Sequence, residues 1–283
     1  MNYRHAFHAG NHADVLKHFA LTVVLERLAR KEAPFAVLDT HAGIGLYDLA
    51  SDEAQRSPEW QGGIARLWDW PEAPAELAPY LAAVRALNPD GALRFYPGSP
   101  ALVAAALRPA DRLAACELHP DDAQSLKARF SRQPNVHVHP RDGWEALNAL
   151  LPPPEKRGLI LIDPPYEEPG ELERAARAIG PALKRFGHGV YMWWRPLKLG
   201  GALDRADAEA KAQIAKEPRA KDMLRADLWV DTPAPSGRLL GSSILVLNPP
   251  FGLEEALRAA LPAVAERLAL GPGAGWRVAR SGG

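Results

Sequence analysis

Strand-like apolar runs alternate with helical stretches along most of the 283 residues, which predicts an α/β fold. The sheet should be mostly parallel and covered on both faces, with an inserted helical subdomain and an antiparallel hairpin at one edge. Three observations carry this. "PFAVLDTHAGIG" is a buried strand that ends in an acid and runs into a glycine turn. "RGLILIDPPY" is a second such strand, ending in an acid and two prolines. The late runs "MLRADLWV" and "SSILVLN" are joined by the turn-rich "DTPAPSGRLLG", as two antiparallel neighbours would be.

The elements follow in order. Asn11 suits an N-cap and Asp14 the third helical position, where a carboxylate meets exposed amides. Leu16, Phe19, Ala20, Val23 and Val24 then recur at helical spacing to about Lys31. After the first strand and its glycine turn, "EWQGGIARLWDWP" and "AELAPYLAAVRALN" are helical in period and carry their own apolar face. We therefore divide the chain into residues 1–49, an inserted helical subdomain over 50–91, and the remainder over 92–283. "LRFYPG" is strand-like. From there "GSPALVAAAL", "PDDAQSLKARFS", "GWEALNALL", "ELERAARAIGPALKRF", "ALDRADAEAKAQIA" and "LEEALRAALPAVAERLAL" predict helices. "DRLAACE", "NVHVH", "RGLILID" and "GVYMWW" predict the strands between them.

Composition narrows the class. Hydrophobic content of 47% and charged content of 24% are globular values. A formal charge of +0 announces no nucleic-acid partner, so any phosphate-binding surface must be a local basic patch. The single cysteine, Cys116, excludes a disulfide framework or a cysteine-rich zinc ribbon, and its apolar run "LAAC" predicts burial. No apolar run nears the roughly 20 residues of a membrane span, and no signal-peptide pattern opens the chain. A cytoplasmic protein is expected.

Ligands of open α/β sheets bind beyond the carboxyl ends of the strands, near the reversal of strand order. Acids stand at several predicted strand ends: Asp39 before His41, Gly43 and Gly45, then Glu117, then Asp142 before Gly143, then Asp163 before Pro164, Pro165 and Tyr166. Each alone is also what a helix cap or turn would use. A glycine turn followed by acids on consecutive strands is the layout of an adenosine-type cofactor site, with Glu117 placed for ribose hydroxyls. "DPPY" adds chemistry. An exocyclic amine on a base is a poor nucleophile because its lone pair is delocalised into the ring. The Asp163 carboxylate and the Pro164 carbonyl, accepting its two N–H groups, favour a pyramidal nitrogen that can attack an electrophilic methyl. Tyr166 offers a face for a base taken out of its stack. This chemistry needs no metal, but it does need an Asp163 carboxylate that no internal ion pair ties up.

The motifs "YRHAFHAGNHADVLKH", "LDTHAGIG", "YPGSP", "ELHP", "DGW", "RGLILIDPPYE" and "NPP" extend the reading. On them the chain resembles the RlmJ family of bacterial large-subunit ribosomal RNA adenine-N6 methyltransferases, over essentially its whole length. The resemblance implies a Rossmann-like class I methyltransferase fold with an inserted helical subdomain. It also implies S-adenosylmethionine (S-adenosyl-L-methionine) as cofactor and an adenine of 23S ribosomal RNA as target. The implied cofactor contacts are His18, His41, Ser99, Glu117, Asp142, Gly143 and Asp163, the last also the catalytic acceptor with Pro164 and Tyr166. Tyr3, His5 and Lys17 are implied on the substrate side, with Tyr3 stacking on the purine. The stretch 198–238 matches most weakly.

Four of the 9 histidines, His5, His8, His12 and His18, crowd the first segment. They fit a metal site on His8 and His12, polar residues of an exposed helix start, or a lid that closes over cofactor and base. Gly10 and Asn11 break the helix between His8 and His12, which disfavours the metal. Ser99 before Pro100 suits a helix cap as well as a cofactor contact. Trp193, Trp194 and Arg195 suit core packing or base stacking. Lys127, Arg129 and Arg132 suit a solvated face or phosphate contacts. A monomeric enzyme is expected. The alternatives are an amino methyltransferase of DNA or another RNA, a non-catalytic nucleic-acid-binding protein that keeps a cofactor pocket, and a metal hydrolase.

Overall fold

The computed structural model describes residues 4–167, 170–197, 201–232 and 238–282. Helix α1 (His12–Ala29) starts as expected, with Asn11 accepting from the Ala13 and Asp14 amides. It is buried nearly all round: Val15, Leu16, Phe19 and Val24 pack in the core, and so do the polar Asp14, Lys17 and His18. These three polar residues lie three and four apart and so share one face of the helix. β1 (Ala36–Asp39) follows, fully buried.

The chain then leaves the main sheet. β2 (Leu46–Asp48), three short helices α2 (Asp52–Arg56), α3 (Ile64–Trp68) and α4 (Ala78–Ala86), and β3 (Phe95–Pro97) lie outside it. The helices expected over 50–91 are present. The strand expected in "LRFYPG" does form, but it pairs antiparallel with β2 in a separate two-stranded ribbon. Gly63 clamps the insertion to the start of α1: its position leaves no room for a Cβ beside the Gly10 carbonyl, which accepts from the Ile64 amide at 2.8 Å.

Regular alternation resumes with α5 (Ser99–Ala106), β4 (Arg112–Cys116), α6 (Pro120–Arg129), β5 (Val136–His139), α7 (Gly143–Ala149) and β6 (Gly158–Ile162). It continues through α8 (Glu171–Arg185), β7 (Val190–Pro196), α9 (Ala202–Ala215), β8 (Asp222–Trp229), β9 (Gly241–Leu247), α10 (Leu253–Leu268) and β10 (Gly275–Gly282). The eight strands of the main sheet run β10-β8-β9-β7-β6-β1-β4-β5. β5, β4, β1, β6 and β7 are parallel. β9, β8 and β10 are antiparallel to their neighbours. The expected hairpin is therefore β8–β9, and β10, not foreseen in the glycine-rich end, forms the outer edge. One apolar cluster joins α1, α5 and α10 to one face of the sheet, and a second joins α7, α8 and α9 to the other. Cys116 is buried in the second. No helix among the described residues is long and apolar enough to cross a membrane.

Strand order reverses between β1 and β6: the chain moves outward through β4 and β5, then returns to the other side of β1. Both neighbouring crossovers leave the carboxyl ends of these strands, so their loops diverge and leave a crevice.

Candidate active site

A cavity of about 560 Å³ opens at that reversal. It is lined by His5, Lys17 and His18 from the N-terminal part, His41 after β1, Ser99 at the start of α5 and Glu117 after β4. Asp142 and Gly143 at α7, and Asp163, Pro164 and Tyr166 after β6, complete it. Every expected site residue that is described thus borders one space. Tyr3 lies outside the described residues, as does part of the weakly matching 198–238 stretch.

One side carries a glycine turn and buried acceptors. Gly43 has φ +61° in the turn after β1, and its amide donates to Glu117 Oε2 at 2.9 Å. Glu117 Oε1 accepts from the His119 amide at 2.8 Å. Burial pushes the Glu117 carboxyl above its ordinary range, despite these bonds. Asp142 caps α7 by accepting from the Trp144 amide at 2.6 Å, and Arg174 lies 3.2 Å from its other oxygen. Gly143 sits so close to β1 that a Cβ there would meet the Thr40 carbonyl oxygen at 2.1 Å. Ser99 is not the helix cap: Gly98 holds that place, and the Ser99 hydroxyl donates to buried Asp39 at 2.7 Å. Burial and the nearby Asp163 push Asp39 up to about 7, against the Ser99 bond. His18 holds the Tyr96 hydroxyl at 2.7 Å through Nδ1, while its buried Nε2 has no partner among the described residues. Burial pushes His18 down to about 3 and His41 down to about 4, so both imidazoles are neutral. A partnerless ring nitrogen, a buried carboxylate and a glycine cradle without room for side chains fit a polar adenosine-type cofactor.

The opposite side carries the reactive tip. Asp163 is not free, contrary to the requirement drawn from the sequence: Lys17 Nζ lies 2.6 Å from its Oδ2. The reason lies in α1, where the buried Lys17 ammonium needs anionic partners and takes Asp163 and Asp14, the latter at 2.8 Å. Burial would lower the Lys17 pKa, but the two carboxylates outweigh it and raise it. The ion pair engages one oxygen only. Asp163 Oδ1 and the Pro164 carbonyl accept no hydrogen bond from any described residue. Tyr166 is held in the left-handed region at φ +55°. Its hydroxyl donates to the Trp194 carbonyl and accepts from Trp193 Nε1, both at 2.7 Å. Trp193 is therefore buried support for that ring, and Arg195, fully buried, is paired with Asp207.

The histidine cluster disperses. His5 meets Asp14 at 2.9 Å, His8 meets Glu59 at 3.1 Å, and His18 meets Tyr96. His12 is buried and pushed down to about 4. Among the described residues no group of three or more His, Cys, Asp or Glu is placed to hold a metal ion. Sequence reasoning missed Asp14 as a cavity residue, together with Glu59, Arg174 and Arg238, which also line it. Asp14 and Lys17 had a readable signal, charges three apart inside an otherwise apolar helix; Glu59 and Arg238 come from distant loops and had none.

A parallel sheet that reverses at β1 and β6, with a glycine turn, strand-end acids and an Asp-Pro-Pro-Tyr tip around one cavity, defines a class I methyltransferase. The comparisons agree. The family model described as "Ribosomal RNA large subunit methyltransferase D, RlmJ" matches residues 32–280. Ribosomal RNA large subunit methyltransferase J of Escherichia coli (strain K12) is 40% identical over 262 residues, 93% of this chain and 92% of that protein. Its counterpart from Haemophilus influenzae (strain ATCC 51907 / DSM 11121 / KW20 / Rd) is 40% identical over 269 residues, 95% and 94% of the two chains. A crystal structure of a Legionella pneumophila protein superposes with a TM-score of 0.88 at 33% identity, covering 97% of this chain and 98% of that one. The chain belongs to the RlmJ family. It is accordingly an enzyme, a methyltransferase that uses S-adenosylmethionine.

Proposed function

We propose that the chain transfers a methyl group to N6 of an adenine in 23S ribosomal RNA, with Asp163 and Pro164 as the acceptors that orient the amine. The observation that supports this is the pair of unused oxygens, Asp163 Oδ1 and the Pro164 carbonyl, on the same cavity as the nucleoside-type pocket. Glu117, His18, His41, Ser99, Asp142 and Gly143 would hold S-adenosylmethionine, which supplies an electrophilic methyl on a positively charged sulfur. Neutral His18 and His41 do not repel that charge. The amine N–H groups donate to Asp163 Oδ1 and Pro164 O, which favours a pyramidal nitrogen and frees its lone pair for in-line attack. As the N–C bond forms, nitrogen gains positive charge, and Asp163 Oδ1 stands to receive the proton it must lose. The bond broken would be that between the methyl carbon and sulfur, whose electron pair stays on a neutral thioether, S-adenosylhomocysteine. Lys17 fixes the carboxylate through Oδ2. Tyr166, pinned at its hydroxyl, gives the flipped base a rigid face.

In this reading the N-terminal part of residues 1–49 is a lid that carries Tyr3 and His5 over the base and excludes water. Residues 50–91 are a subdomain inserted into the methyltransferase domain that 92–283 completes. The enzyme works as a cytoplasmic monomer without a metal. The test is methyl transfer to unmodified 23S ribosomal RNA, to transfer RNA and to DNA, by wild type and Asp163→Ala. We expect transfer to the ribosomal RNA alone, and a loss of at least about 10³-fold in the variant with ribosomal RNA binding kept. Transfer to DNA alone, or an active Asp163→Ala, overturns the reading.

A further inference from the structure

Asp14 is 1% exposed and collects donors from three directions. The Gly10 amide and His5 Nε2 reach its Oδ2 at 2.8 and 2.9 Å, and Lys17 Nζ reaches its Oδ1 at 2.8 Å. His18 Nε2 stands 3.9 Å from the same Oδ1. A carboxylate that only answered the helix dipole would sit as well in solvent. Here it is turned inward, and burying it together with Lys17 stabilises the fold no better than apolar side chains of the same volume would. What the arrangement does provide is geometry. Lys17 has its other carboxylate contact at Asp163, so His5, Asp14, Lys17 and Asp163 form one continuous chain from the N-terminal segment to the reactive tip.

We propose that Asp14 is a positioning residue of this active site: it holds the Lys17 ammonium back so that Lys17 takes only one oxygen of Asp163 and leaves the other for the amine. The inference rests on Asp163 being the amine's acceptor. Shared between two carboxylates, the ammonium cannot slide along either. Without Asp14 it has a single partner, and its donors spread over both Asp163 oxygens, which blocks the acceptor. The effect therefore falls chiefly on turnover with bound substrates, because the cofactor contacts other than His18 come from the ends of β1 and β4 and from the starts of α5 and α7, away from Asp14.

Several charged or titratable groups face Lys17. They are Asp14 and His18 on its own helix, Asp39 at the end of β1, Asp163 after β6, and Tyr80 from α4. With both carboxylates present Lys17 stays protonated in alkali. With Asp14 neutralised, burial acts against one remaining anion and the ammonium loses its proton at lower pH.

The experiment compares wild type, Asp14→Asn, Asp14→Glu, Lys17→Met and the double variant Asp14→Asn/Lys17→Met in methyl transfer to a 23S ribosomal RNA fragment. S-adenosylhomocysteine affinity is measured by calorimetry alongside. We expect kcat to fall at least about tenfold in Asp14→Asn, partial recovery in Asp14→Glu, and affinity within about threefold of wild type. In the Lys17→Met background Asp14→Asn should change kcat by less than about twofold, because the lost group acts through Lys17. The rate of Asp14→Asn should also fall between pH 7.5 and 9.5, where wild type is level. A wild-type kcat in Asp14→Asn, or losses that multiply in the double variant, overturns the proposal, even with Asp163→Ala inactive. Should the Asp14 variants not fold, the wild-type profile decides. A fall below pH 9.5 that Lys17→Arg removes overturns the proposal, and a level profile supports it.

Discussion

Glu117 shows how much a single side chain commits. Both its oxygens accept backbone amides, from Gly43 and His119, so the carboxylate is fixed in place before any ligand arrives. Burial raises its pKa, and the negative charge of Asp122 adds to that. If it binds the ribose hydroxyls, Glu117→Gln keeps the size and one acceptor oxygen but loses the charge. S-adenosylhomocysteine should then bind about 10- to 100-fold more weakly, while kcat at saturating cofactor changes little. The sign with pH follows from the raised pKa. Protonation turns an acceptor into a donor, so wild-type affinity should decline from neutral to acid pH, earlier than an unshifted glutamate would give, and the glutamine variant should not show that decline. Calorimetric titration at neutral and acid pH measures both. At this scale the sequence was readable wherever an acid ends a strand, because a strand's carboxyl end points at the crevice whatever surrounds it. It was not readable at Asp163, whose ion pair depends on a lysine 146 residues earlier in the chain. Ser99 misled for a related reason: its hydroxyl found a buried acid, Asp39, and left the cap to Gly98.

At the scale of elements, the close contact between α7 and β1 positions Asp142. A Cβ on Gly143 would stand 2.1 Å from the Thr40 carbonyl oxygen, backbone against backbone, so no side-chain rotation relieves it. Gly143→Ala should push the first turn of α7 away from β1 and carry Asp142 and its cap bond with it. We expect cofactor affinity to drop at least about tenfold and stability by about 1–3 kcal/mol, seen by calorimetry and urea unfolding. Unchanged values would mean that α7 is not seated as described. Long elements were legible because their periodicity persists: α9 falls on Ala202–Ala215, where the sequence placed it, and β6 to within a residue at each end. β2 and β3 have three residues each, too few for any period, and their pairing across the insertion is a tertiary fact. β10 reads GWRVARSG, with only Trp276, Val278 and Ala279 apolar, and becomes a strand because β8 offers it an open edge. α1 is the instructive case. The sheet covers one side of it and the cavity borders the other, so Asp14, expected only to meet the exposed amides of the helix start, ends up inside together with Lys17.

For the molecule as a whole, those buried polar groups make stability depend on pH in a definite sense. His12, His18 and His41 are pushed down to about 4, 3 and 4, whereas in the unfolded chain each titrates near 6.5. A group with a depressed folded pKa leaves the unfolded state holding more protons, so its contribution is present above 6.5 and is lost as pH falls toward the folded value. Asp39 works the other way. Pushed up to about 7, it holds its proton in the folded state and releases it on unfolding, so its contribution is present in acid and is lost as pH rises from about 4 to 7. Near pH 5 the three histidines take up three protons and Asp39 gives up one, leaving a net uptake of about two on unfolding. Stability should then fall by about 3 kcal/mol per pH unit between pH 6 and 4.5, as measured by urea unfolding at half-unit steps. Asp39→Asn removes an opposing group, so its slope over the same interval should steepen by about one proton while its stability at pH 7.5 holds or rises. A flat wild-type profile, or one that rises into acid, would mean that these imidazoles are charged in the folded protein. The pocket would then present positive charge to a cationic cofactor, and the assignment of His18 and His41 to the cofactor would fall with it.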